Sequence, residues 1–485
     1  MKDNILNKKV LKLIAICCGV GLFTIFIFYV IYCFQNKKEF CNFNISLSKD
    51  NVTRLSRNQI SKFDFFFKPE VIKIKESLGE EFDQALFYFD NIKNVELDWT
   101  LALPIFGPPL SVKKAGSVSF LMDDLNHYTS HNGDPKLRDA IKKKLEKDGI
   151  KLKEKNIVVS TSIFEILKDL YSILNWTPKH SILIPVPAFG QHPYQAVHCN
   201  MKVHFLNVTQ ESGWKITPED LDKTLTLTKP TMFLFTNPVN PTGVVYNKEE
   251  VEKLAAILKK HQILVISDEI FKDVLLDKNQ QPFSIGAVEG MENLTITLSG
   301  LGKSMGLVGL RLSYGCIPDW LIGKLPEPSS GISKPVEKAA IYALQDNFEN
   351  QEYLQMSMRG YNKRLKIIKE FVINMDRELN KKFNIDIFNA GFFIKLYIEP
   401  KATNVVLVSF QGLKGKYSDK KQINSSVDLA FYILEKTGIA LTPGEVFLIK
   451  GEKMVLRIPL AAQNLDLGLE RIRKALLELK TKESY

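Results

Sequence analysis

ITLSGLGKSMGLVGLRLSYG, Ile296 to Gly315, is the stretch on which the reading of the whole chain turns. A strand-like apolar run, Leu294 to Leu298, breaks at Ser299 and Gly300 and gives way to a loop rich in glycine (Gly300, Gly302, Gly306, Gly309). Lys303 stands inside that loop and Arg311 follows eight residues on. Glycine lets backbone come close to a ligand, and the loops after the strands of open α/β sheets are where such ligands lie. A lysine in that place can form a Schiff base with a carbonyl, and an arginine fixed nearby can grip a phosphate. Glycine-rich loops also occur as plain turns carrying a solvated lysine, so the neighbouring sequence has to decide.

Moving outward, helical patterns (Pro135 to Lys147, Phe164 to Leu174, Thr217 to Leu225, Lys248 to Lys260) alternate with short apolar runs. Those runs are Ile157 to Val159, Ile182 to Pro185, Met201 to Phe205, Met232 to Phe235, Ile263 to Ile266 and Leu294 to Leu298. The alternation predicts βαβ units and a mainly parallel sheet sandwiched by helices. Beyond Pro335 a long helical stretch to about Leu379 is followed by strands at Phe392 to Ile398, Val405 to Phe410 and Met454 to Ile458, with a helix near Val427 to Lys436. The expected organisation is a tail and anchor at 1–36, an amino-terminal arm at 37–98, a large α/β domain at 99–340, and an interdomain helix with a smaller α/β domain at 341–485.

Three more stretches end predicted strands. TNPVNPTG, Thr236 to Gly243, is a rigid loop that can hold the Asn240 amide at a fixed angle. ISDEIF, Ile266 to Phe271, delivers Asp268 from a buried run, and a carboxylate there needs a positive partner. PVPAFG, Pro185 to Gly190, offers Phe189 as a flat face for a planar ring.

In this order the motifs resemble those of the class I/II aminotransferases, pyridoxal-phosphate enzymes of fold type I, over roughly Trp99 to the carboxy terminus. The resemblance implies pyridoxal 5′-phosphate as cofactor and transfer of an amino group from an amino acid to a 2-oxo acid. It implies that Lys303 holds the cofactor as an internal aldimine and then moves the proton at the substrate Cα, and that Asp268 pairs with the pyridine nitrogen. Asn240 would donate to the phenolic oxygen and Phe189 would stack on the ring. Arg311 would bind the phosphate with the helix start near Ser160 to Ile163, and Ser162 and Ser299 complete the cofactor-binding set. Arg457, in VLRIPLA, matches the arginine that holds the substrate α-carboxylate. Tyr128 matches a tyrosine that reaches a phosphate across a homodimer interface, so that active sites are shared.

The chain departs from the family pattern at Phe271, where tyrosine is usual, at Gly302, commonly serine, and at Thr161, Ser162 and Ile163, usually close to Asn-Gly-Ala. Two other readings stay beside transamination: a lyase or cyclising synthase on the same fold, and a degenerate cofactor-binding or scaffold protein.

Composition bounds the rest. The 485 residues are 45% hydrophobic and 25% charged, an ordinary globular balance. Sixty-five basic residues against 54 acidic ones give +11, scattered rather than striped, so a nucleic-acid partner is not expected. Six cysteines (Cys17, Cys18, Cys33, Cys41, Cys199, Cys316) without a CxxC give neither a disulfide framework nor a zinc site, and no metal is expected. Leu13 to Phe34 carries no charge and as a helix would reach about 33 Å, which predicts a single-pass amino-terminal membrane anchor. Cofactor supply favours a catalytic domain on the cytosolic side; six N-x-S/T sequons tolerate the opposite.

Overall fold

The computed structural model describes residues 74–122, 125, 127–174, 180–326, 331–383, 392–419, 421–449 and 454–482. All of them fall in one compact unit, 68–485.

Seven strands form the main sheet: β1 (Ile157–Ser160), β2 (Ser181–Val186), β3 (Lys202–Asn207), β4 (Met232–Thr236), β5 (Leu264–Asp268), β6 (Thr295–Gly300) and β7 (Ser313–Cys316). Their order across the sheet is β1-β7-β6-β5-β4-β2-β3. All pairings are parallel except the two made by β7, which runs against both β1 and β6. The apolar runs are uninterrupted because both faces are covered. Ile182, Ile184, Met232, Leu234 and Ile266 enter one core, while Leu183, Phe233, Phe235 and Val265 enter the other. Each such side chain, fully buried, contributes about 1.5–3 kcal/mol of hydrophobic stabilisation.

The helices Pro135–Lys147 and Lys248–Lys260 begin and end where the sequence pattern predicts. Asp134 accepts from the Lys136 amide at the start of the first, and Asn247 with Glu250 forms a capping box at the second. The predicted single helix after Pro335 is two, Lys334–Ala343 and Phe348–Lys382. Asn347 caps the second and Asn350 Nδ2 donates to the last carbonyls of the first, so side-chain caps make the break. A second sheet of four antiparallel strands, ordered β10-β11-β9-β8, comprises β8 (Lys395–Leu396), β9 (Val405–Ser409), β10 (Thr442–Pro443) and β11 (Val455–Pro459).

The expectation of a transmembrane helix, and of a membrane localisation drawn from it, is corrected. No helix among the described residues is long and apolar enough to cross a membrane. The longest, Phe348–Lys382, buries only one face and carries charges along the other, as a helix packed on a protein core does. The run at 13–34 on which the expectation rested lies outside the described residues.

Candidate active site

The carboxyl ends of the parallel strands converge on one cavity of about 310 Å³, at the small end of the range for small-molecule sites. Thr236 and Asp268 are the last residues of β4 and β5, Phe189 lies three residues past β2, and Lys303 three past β6. The register across β4 and β5 pairs Thr236 with Asp268, so the two side by side form the floor. Ser162, Phe189, Asn240, Asp268, Lys303, Arg311 and Arg457 all line the cavity. Two residues expected there do not: Tyr128 is fully exposed, and Ser299, behind the wall, donates to the Glu269 carbonyl at 3.4 Å.

Asp268 is buried, and its positive-capable partner is a residue the sequence reading passed over. His192 Nε2 lies 2.9 Å from Asp268 Oδ2, and Oδ1 accepts from the Ile270 amide at 3.0 Å. The available signal was position: His192 follows Phe189 by three residues on the first turn of the helix Gln191–His198. The nearby Lys272 is engaged by Glu269 at 3.0 Å and by Asp148 at 3.3 Å, in a separate ion network.

The Asn240 loop is rigid for reasons beyond its prolines. Asn237 Nδ2 donates to the carbonyls of Tyr246 and Phe283, and Asn237 Oδ1 accepts from the Tyr246 amide. Gly243 has φ +73°, and a Cβ there would meet Pro400 Cβ at 2.5 Å and the Ala402 carbonyl at 2.7 Å. Only glycine lets the loop close onto the segment before β9. Asn240 is buried with its Oδ1 unpartnered among the described residues.

Lys303 Nζ donates to the Ala102 carbonyl at 2.6 Å and lies 5.9 Å from the centre of the buried Phe271 ring. Burial, reinforced by the Arg457 and Arg311 charges, pushes its amine down to about 8. A tenfold larger neutral share for each unit of depression follows, so roughly one amine in ten is unprotonated at pH 7. Labelling of Lys303 by an aldehyde, trapped with borohydride and read by mass spectrometry, should therefore rise with pH to half its plateau rate near pH 8. Half-saturation at the ordinary lysine value of 10.5 would contradict this environment.

Arg457 is buried on β11, its guanidinium 5.1 Å from the Phe447 ring, and burial pulls it down to about 10. Nη2 donates to the Thr100 carbonyl and to Thr442 Oγ1, while Nε has no partner among the described residues. No described carboxylate pairs with it, which makes it a buried cation suited to an incoming anion. Arg311, in the left-handed region at φ 54°, is exposed, with Nη1 donating to the Val308 carbonyl. The helix Ile163–Ile173 starts beside it, its first turn capped by Ser162 through the Phe164 amide. Phe189 is held by Phe164 and His192, at ring-centre distances of 6.0 and 6.3 Å.

The departures from the family pattern are local. A Cβ on Gly302 would meet Val308 only at ordinary contact distance, so space does not require glycine there. Ile163 and Phe271 are buried in the cavity wall. Cofactor fit rests on what the walls offer: a buried carboxyl group, an amide whose oxygen is unpartnered among the described residues, an amine of lowered pKa, and an arginine beside a helix start. That set matches a phosphorylated pyridine aldehyde.

The family model for aminotransferase class I and II matches residues 99–472. A bifunctional aspartate aminotransferase and glutamate/aspartate-prephenate aminotransferase of Petunia hybrida is 27% identical over 387 residues, 78% of this chain and 76% of that protein. The crystal structure of the aspartate aminotransferase from Rhizobium meliloti superposes with a TM-score of 0.69 at 22% identity, covering 87% of this chain and 99% of that one. An aromatic aminotransferase from Pyrococcus horikoshii OT3 gives 0.67 at 22% identity, over 81% and 98%. At such identities the structural likeness carries the fold alone.

Proposed function

Because this chain belongs to the class I and II aminotransferase family and is a pyridoxal-phosphate-dependent transferase, we propose that it moves the amino group of an amino acid to a 2-oxo acid in the cavity around Lys303. The observation that carries this reading is the pairing of two cations in one cavity. Lys303 is an amine of lowered pKa, and Arg457 is a buried guanidinium without a carboxylate partner among the described residues.

Pyridoxal 5′-phosphate, when bound, supplies an electron sink for the pair left behind when the amino acid loses its Cα proton. Arg311, the helix start at Ile163 and Ser162 would hold its phosphate, Asp268 its ring nitrogen, Asn240 its phenolic oxygen, and Phe189 one face of the ring. Lys303 would hold its aldehyde carbon. His192 keeps the Asp268 carboxyl group oriented. Arg457 exchanges the Thr100 carbonyl for the substrate α-carboxylate, a charge-assisted and two-pronged bond in place of a neutral one. Once the substrate amine has taken its place and released it, Lys303 Nζ would take the Cα proton and return it two atoms away, across the transferred nitrogen. A base titrating near 8 keeps a useful neutral share near physiological pH, close to the optimum for such a transfer.

The homodimer is also part of this proposal. Large exposed apolar side chains concentrate between Leu110 and Tyr128, including Phe120 and Leu121. An apolar patch of this kind suits a subunit interface. It puts Tyr128 where a second copy would meet it.

The test is a half-reaction. The full chain, loaded with pyridoxal phosphate and mixed with single amino acids, should release one equivalent of 2-oxo acid per site and leave pyridoxamine phosphate. Ammonia with no retained amino group would instead indicate elimination. No reaction across all the common amino acids would refute the proposal.

A further inference from the structure

We propose that this site accepts an amino acid with an uncharged, apolar side chain rather than a second carboxylate, and that Leu101 is the residue that sets the preference. The inference rests on the aminotransferase reading above and names its substrate class.

A substrate in this cavity has to reach from Arg457, which takes its α-carboxylate, to Lys303, which takes its Cα proton. A single stretch of backbone already spans those two points. The Thr100 carbonyl sits on Arg457 Nη2, and the Ala102 carbonyl sits 2.6 Å from Lys303 Nζ. Leu101 lies between them, lines the cavity, and is 52% exposed. A large apolar side chain left half bare at the mouth of a site is one that a ligand can cover, and the part of the ligand passing beneath it is the substituent on Cα.

The cations that this chain itself brings to the cavity leave none for a second anion. Its described lining holds three cations, Lys303, Arg311 and Arg457, and each already has an anion or a proton to handle. The remaining charged group is Asp268, which would repel a carboxylate. The other walls are mainly apolar, Ile163, Phe164, Ile270, Phe271, Leu307 and Val308, with neutral polar side chains such as Thr236 and Asn240 between them. A carboxylate against such walls would lose its water with no cation in return, whereas an alkyl or aryl group gains by leaving water.

Isocaproate and glutarate separate the two cases. They are leucine and glutamate without their amino groups, so neither can react, and they present an isopropyl group and a carboxylate within one carbon of the same distance from the shared carboxylate. Calorimetric titration of the cofactor-loaded full chain should find isocaproate bound at least tenfold more tightly. Leu101→Arg, at a half-exposed position that tolerates charge, should narrow or reverse that ratio, and Leu101→Ala should weaken isocaproate several-fold without strengthening glutarate. Equal or tighter binding of glutarate by the unaltered chain overturns the inference, including the case in which a second copy brings a cation to the site. If glutarate wins while amino acids still release 2-oxo acids, the aminotransferase reading stands and only its substrate class falls. If neither acid binds and no amino acid reacts, that reading fails and the inference fails with it.

Discussion

Lys303→Ala should leave a folded protein that transfers amino groups about ten thousand times more slowly, the upper range for removing a positioned acid and base. It should also leave no borohydride-fixable cofactor on the chain. The substitution removes one amine from a half-buried position and frees one backbone carbonyl, Ala102, which is close enough to solvent to find water. Circular dichroism and the melting temperature should therefore change little, and loss of activity would not reflect unfolding. Two readouts keep the prediction sharp. A reducible cofactor adduct persisting in the variant would place the attachment elsewhere. Activity within tenfold of the unaltered chain would give the proton transfer to another base.

Asp268→Asn should cost roughly a thousandfold in kcat/KM. Removing one group aimed at charge that develops in a transition state costs about 2.7–4 kcal/mol, and about 4 kcal/mol is a factor near a thousand. The amide keeps the shape of the carboxylate and can still accept from the Ile270 amide, as Oδ1 does at 3.0 Å. It cannot carry the negative charge that a protonated ring nitrogen calls for. Its failure should thus be chemical, with kcat falling more than cofactor affinity. A variant that binds cofactor normally and loses less than tenfold in kcat would remove Asp268 from the chemistry. His192→Phe, which takes away the group 2.9 Å from Asp268, should cost less than Asp268→Asn, because it acts only through that carboxyl group.

The strand endings were legible because Phe189, Asn240, Asp268 and Lys303 each come at or just after a short apolar run bounded by turn residues, the pattern of a buried strand. Asp268 closes β5 after Leu264 to Ser267, and Lys303 follows β6 by three residues, so both had to emerge at one edge of the sheet. That much follows from a period of two and a parallel register. The helix from Pro335 was less legible because its break depends on the side chains of Asn347 and Asn350, and polar residues inside a charged helix read as one more solvated turn. The strand expected over Phe392 to Ile398 shrank to Lys395–Leu396, the part that pairs with β9. The membrane anchor was read from hydropathy alone, and among the described residues no helix supports it.

By itself, then, the sequence determined the alternation of strands and helices, the family its motifs resemble, and the side chains that gather at the carboxyl edge of the main sheet. These depend on patterns of neighbouring residues, which the chain carries in its order. The tertiary structure alone decided which partners those side chains meet. His192 reaches Asp268 across 76 positions, and the Thr100 carbonyl reaches Arg457 across 357. Burial of Lys303 between two guanidinium groups lowers its pKa, and no local pattern encodes that. Backbone carbonyls and long-range desolvation leave no mark in a sequence, because every residue has the same carbonyl and a charge feels only what folding brings near it.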